Sequence, residues 1–159
     1  MILDLDRQQF GRSELAISGS LELGLSADRP QVAQVAGNLV VRNLESRVLL
    51  SGCLQAESRA ECGRCLEEFT IHWDFPVDVI VLRDIDSDES EGETLLITQR
   101  TGEVDLRESI RECAVLGYPQ SLLCKSDCLG LCPECGIDRN QATCECSKNE
   151  VDPRWEGLP

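Results

Sequence analysis

The chain has 159 residues, of which 42% are apolar, 28% charged and 4% aromatic, which fits one soluble domain of ordinary size or two small ones. No window approaches the roughly 20 apolar residues of a membrane span, and Met1–Phe10 lacks the basic start and apolar run of an export signal, so a cytoplasmic protein is expected. The formal charge of -14 is opposite in sign to the footprint of a protein that grips phosphates over a broad surface.

Period-two alternation runs from Ser13 to Leu25, with Leu15, Ile17, Leu21, Leu23 and Leu25 on one parity, and predicts a strand bent at Gly19. Val35–Arg42 and Arg47–Ala56, joined by residues 43–46, predict a hairpin with Cys53 in its second arm. Phe69, Ile71, Trp73 and Phe75 alternate with polar residues and predict a strand, which Pro76 is expected to break before Val77, Val79 and Val81 resume it. His72 falls on the polar parity, as an exposed strand residue rather than a catalytic base. From Asp84 to Glu93 six of ten residues are acidic, a composition that stays solvated as a mobile loop. A short strand is predicted at Leu95–Thr98. Asp105 then caps a helix, with Glu108 completing a capping box and Leu106, Ile110, Cys113, Ala114 and Leu116 as apolar positions, until Gly117 and Pro119 stop it. Beyond Leu123 regular periodicity ends, and cysteines and turn residues dominate up to a tail in which Trp155 is expected to dock within the chain.

The predicted fold class is α+β, mainly antiparallel β with one or two helices and a C-terminal zinc-ribbon-like cysteine-rich module. Residues 1–119 form the β-rich domain with its helix and the acidic loop 84–93. Residues 120–148 form the metal-binding module packed on it, and residues 149–159 the tail.

Ten cysteines in a reducing compartment point to metal rather than disulfides. Cys53 and Cys113 sit in apolar patterns; Cys62 and Cys65, Cys124 and Cys128, Cys132 and Cys135, and Cys144 and Cys146 form four close pairs. A Cys-x-x-Cys turn faces two thiolates toward one ion, and Cys132-Pro-Glu-Cys135-Gly136 has the form of a zinc knuckle, with glycine supplying positive φ. Eight ligands suffice for two tetrahedral sites, with zinc as the ion and a structural role. Loop entropy favours Cys132, Cys135, Cys144 and Cys146 as one local site, which leaves Cys62, Cys65, Cys124 and Cys128 to pin the module to the β domain. The alternative, Cys62 and Cys65 facing Cys132 and Cys135, is the zinc-ribbon arrangement. A redox dithiol at Cys62 and Cys65 is disfavoured, because such a motif opens a helix whereas a strand-like segment follows Cys65.

Several of these segments together resemble the YceD family, the large ribosomal RNA subunit accumulation proteins of bacteria and plastids. They are Cys62-Gly63-Arg64-Cys65-Leu66, an acidic stretch, Val104-Asp105-Leu106-Arg107-Glu108 leading to Leu116-Gly117-Tyr118-Pro119, and Cys128-Leu-Gly-Leu-Cys132-Pro-Glu-Cys135-Gly136 followed by Cys144 and Cys146. Gly117-Tyr118-Pro119 stands where the family pattern usually has Ala-Leu-Pro. The resemblance implies a role in the synthesis, processing or stability of 23S rRNA, and hence in ribosome biogenesis, with no catalytic residue.

No nucleophile–base pair, phosphate loop or dinucleotide motif is present, so the chain is expected not to be an enzyme and to have no small-molecule substrate. The expected partner is a large-subunit rRNA precursor or a basic ribosomal protein, and no membrane. Arg59, Arg64, Lys125, Arg139 and Lys148 lie in or near the cysteine segments and are the candidate contacts. An acidic chaperone for a basic ribosomal protein is the competing reading, and a thiol redox protein a third.

Overall fold

The structure is a computed structural model and describes residues 1–24, 32–44, 46–83, 95–99 and 101–146. The expectations for Leu25, the 84–93 loop, Lys148 and Trp155 fall outside these residues. The chain divides into two compact units, Met1–Ala60 with Phe69–Gln120, and Glu61–Glu68 with the chain from Ser121 onward. Residues 61–68, placed by sequence within the β domain, therefore group with the cysteine-rich segment.

The first unit is built on a five-stranded sheet in the order β2-β3-β4-β5-β6. Its strands are β2 (Gly11–Glu22), β3 (Val32–Asn43), β4 (Arg47–Glu61), β5 (Glu68–Leu82) and β6 (Leu95–Thr98). β2 and β3 pair antiparallel, as do β3 and β4, whereas β6 lies parallel to β5. A separate pair joins β1 (Ile2–Asp4) to β7 (Glu103–Asp105), antiparallel, and the single described helix is α1 (Arg107–Leu116). It is not long and apolar enough to cross a membrane.

Alternation in the sequence becomes alternation in burial. Along β5, Ile71, Trp73, Phe75, Val77, Val79 and Val81 are buried while His72, Asp74 and Asp78 are exposed, so one sheet face carries the core. Helix α1 contributes Ile110 and Ala114 to this core, and Trp73 Nε1 donates to the Ala114 carbonyl at 3.1 Å. The Trp73 and Tyr118 rings meet edge to face, with centroids 5.2 Å apart, a favoured aromatic geometry.

Four local expectations are corrected. Pro76 does not break β5, which runs unbroken from Glu68 to Leu82; among the described residues β6 pairs only with Val79–Leu82, and a strand tolerates proline where the missing N–H has no ladder partner. Asp105 is not the helix cap. Leu106 occupies that position in an αR conformation without a side-chain bond, and Asp105 instead accepts the Arg107 N–H at 3.0 Å and the Arg107 guanidinium at 3.1 Å, which lowers its carboxyl pKa. Glu108 forms no capping box because its carboxylate is held by Arg111 at 2.7 Å. Leu116 is 84% exposed rather than core. Cys113 is half-buried, with its thiol raised by burial, and Cys53 is exposed.

Gly117 ends the helix as predicted, but its φ of -78° is open to any residue. Glycine is required by space: a Cβ there would stand 2.7 Å from the Phe75 Cβ. Gly117→Ala is expected to destabilise the protein by about 1–3 kcal/mol through overpacking, seen as a lower urea midpoint at unchanged slope. An unchanged midpoint would show that Phe75 moves aside freely.

Candidate metal centres

The two Cys-x-x-Cys turns are built by the same hydrogen bonds. In the first, the Cys62 N–H donates to the Glu67 carbonyl at 2.9 Å and the Leu66 N–H to the Cys62 carbonyl at 3.0 Å. In the second, the Cys132 N–H donates to the Ile137 carbonyl at 2.8 Å and the Gly136 N–H to the Cys132 carbonyl at 2.9 Å. The residue after the second cysteine is left-handed in both, Leu66 at φ 61° and Gly136 at φ 72°. Glycine was legible in that role. Leucine was not, since an L side chain there costs roughly 1–2 kcal/mol.

Backbone bonds carry the chain from Ser121 onto the first turn. The Gly63 N–H donates to the Leu122 carbonyl at 2.8 Å and the Leu131 N–H to the Arg64 carbonyl at 2.9 Å, while the Arg64 guanidinium donates to the Cys128 carbonyl at 2.9 Å. Cys62, Cys65, Cys124 and Cys128 are thereby gathered into one group, and Cys132, Cys135, Cys144 and Cys146 into another, with the sulfurs of each group all within 4.8 Å of one another. This is the local grouping that loop entropy favours, and the ribbon-like crossing of Cys62 and Cys65 with Cys132 and Cys135 does not form.

The spacing fits a metal. Four sulfurs about 2.3 Å from a tetrahedral ion stand about 3.8 Å apart; Cys62 Sγ and Cys128 Sγ are 3.8 Å apart, and Cys65 Sγ and Cys124 Sγ 3.5 Å. Such separations are far beyond a disulfide, and all ten cysteines are free.

Each group also places a ready anion among reluctant ones. Burial opposes ionisation of Cys62, but the backbone amides of Cys124, Cys65 and Arg64 outweigh it and lower the thiol to about 6. Burial and the neighbouring Cys65, Cys62 and Cys128 side chains push Cys124 up to about 12. In the second group the amides of Cys135 and Glu134 lower Cys132 to about 6, whereas the Cys135 side chain and burial push Cys146 up to about 12. One thiolate forms readily, and its charge keeps others protonated until a cation takes up that charge.

Of the candidate contact residues, Arg59 is exposed on β4, and Arg64, Lys125 and Arg139 are exposed in the second unit. Arg64 is partly committed to the Cys128 carbonyl. Asn140, which drew no attention in the sequence, donates its Nδ2 to Cys128 Sγ at 3.4 Å. The signal was the Asp138-Arg139-Asn140 turn lying between two ligands.

A family model described as "Large ribosomal RNA subunit accumulation protein YceD" matches residues 50–159, a stretch that contains all eight grouped cysteines. The chain belongs to the YceD family. An uncharacterized protein of Mycobacterium bovis is 30% identical over 124 residues, covering 76% of this chain and 58% of its own length. An uncharacterized protein of Mycobacterium leprae is 29% identical over 127 residues, covering 76% and 56%. A chloroplastic protein of Arabidopsis thaliana named large ribosomal RNA subunit accumulation protein YCED homolog 1 is 32% identical over 56 residues, covering 35% and 17%. This YceD-family chain thus spans little more than half the length of the mycobacterial relatives. No solved structure matches it.

The paired turns make a direct test. An added Cβ at Gly136 meets nothing within 4 Å, so Gly136→Ala isolates the backbone effect and is expected to cost about 1 kcal/mol. Leu66→Gly is expected to stabilise by a similar amount, about 1 kcal/mol, both read from denaturant midpoints of metal-loaded protein. Midpoints that move together would show that the turns do not share the left-handed position.

Proposed function

We infer that this chain is a non-enzymatic, cytoplasmic ribosome-biogenesis factor that supports the synthesis, processing or stability of large-subunit 23S rRNA. Membership of a family described by large-subunit rRNA accumulation carries this reading. Each four-cysteine group holds one zinc ion in a structural role. Soft all-thiolate donors select zinc among the common divalent ions, and four protein ligands leave no open position for water or substrate. Without regular elements beyond α1 among the described residues, the second unit draws its folding free energy from metal binding.

The partner that suits it best is a basic ribosomal protein. Arg64, Lys125 and Arg139 are outnumbered by acidic side chains in the second unit, and four thiolates carry more charge than one zinc ion cancels. Phosphate binding by that unit runs against its own field, whereas a Lys- and Arg-rich surface is attracted to it.

Elemental analysis of reduced protein is expected to find about two zinc ions per chain, with about eight thiols released to a chelator. Depletion from its host is expected to lower 23S rRNA relative to 16S rRNA, and capture of the ribosomal protein is expected to survive nuclease and weaken with salt. Capture lost to nuclease, and weakened by Arg64→Ala with Arg139→Ala, would transfer the contact to rRNA. Metal-free protein with a reversible Cys62–Cys65 disulfide would overturn the structural-zinc reading in favour of redox chemistry.

A further inference from the structure

Asn140 lies between Cys135 and Cys144, ligands of the second group, yet its side chain serves the first. Its Nδ2 donates to Cys128 Sγ at 3.4 Å and its Oδ1 accepts the Leu129 N–H at 2.9 Å. Asp138 orients it, with Oδ1 accepting the Asn140 backbone N–H at 2.9 Å and Nδ2 at 2.7 Å. Beside it the Arg139 N–H donates to the Gly130 carbonyl at 3.0 Å.

The short linker between Cys128 and Cys132 is therefore held from two sides. From one, the loop of the second group supplies Asn140 and Arg139. From the other, Arg64 of the first turn accepts the Leu131 N–H at 2.9 Å, and its carbonyl lies so close to Gly130 that a Cβ there would come within 2.8 Å.

An N–H directed at a thiolate stabilises the anion that binds metal, and removing such an outer partner typically changes affinity about 10–100-fold. Asn140 reaches Cys128 only when the loop 136–143 is ordered, and the ligands of the second group tie that loop at both ends. With the second site empty, the Asn140 contact must offset the entropy of ordering the loop. With it filled, that cost has already been met. We propose that Asn140 couples the two sites, so that metal at Cys132, Cys135, Cys144 and Cys146 raises the affinity of Cys62, Cys65, Cys124 and Cys128, and the reverse by linkage. The inference rests on reading both groups as metal sites.

The test is a titration of the reduced full chain with Co2+ against a competing chelator, occupancy being read from thiolate-to-cobalt absorption. Cys144→Ser with Cys146→Ser leaves only the first site, and Cys62→Ser with Cys65→Ser only the second. The overall two-metal constant of the unmodified chain is expected to exceed the product of the two single-site constants by about tenfold or more. In chains that also carry Asn140→Ala the excess is expected to vanish. Asn140→Asp keeps an acceptor for the Leu129 N–H but loses the donor to Cys128, and it is expected to lose the excess as well, which supplies the reading where the alanine chain takes up fewer than two metals. No excess in the unmodified chain, or an excess retained in either variant, overturns the coupling. Absence of cobalt binding in every chain overturns the metal reading itself.

Discussion

Four thiols within 4.8 Å of one another cannot all be anions unless a cation sits among them, and the second unit is organised around that requirement. In water the repulsion between thiolates would be mild; among buried neighbours such as Cys62 and Cys128 it is strong. The chain deals with it by aiming several backbone amides at Cys62 in one group and at Cys132 in the other, so that one thiol in each is lowered while Cys124 and Cys146 are pushed up. A divalent ion among the sulfurs would convert this crowding from a cost into a source of order for the segment from Ser121 to Cys146, which has no helix and only an isolated bridge between Leu131 and Asp138.

The sheet serves this arrangement through connectivity. The first turn is the connection between β4 and β5, neighbours in the sheet and each 15 residues long. Strand pairing therefore holds the ends of that turn together. The second turn lacks such arms and relies on its own short-range bonds, with Gly136 at the position that in the first turn is filled by Leu66. A strained residue is tolerated more readily where the flanking chain is already held.

Electrostatics narrows what such a unit can do. Four thiolates around a divalent ion would add negative charge to a chain whose formal charge is already -14, and Arg64 spends part of its guanidinium on the Cys128 carbonyl. The arginine in the Cys-Gly-Arg-Cys turn thus has a structural use that composition could not reveal.

Much of the first unit was legible because burial in a sheet follows a period of two, so Ile71, Trp73, Phe75 and Val77 announced both strand and core. The grouping of the cysteines was legible for a different reason: closing the loop from Cys135 to Cys144 costs less than closing a longer one. What escaped were features decided by neighbours distant in sequence. Gly117 is glycine because Phe75 lies against it, and Arg64 faces Cys128 across 64 residues of chain. The sequence by itself determined the strands of the five-stranded sheet, the helix and the eight paired cysteines, since these follow from local period and spacing. The short β1–β7 pair carried no such signal, and the grouping of the cysteines was favoured by loop length but left open. Only the tertiary structure decided that Leu66 takes a glycine's conformation and that Asn140 of one site donates to a sulfur of the other, because both depend on which atoms meet through space.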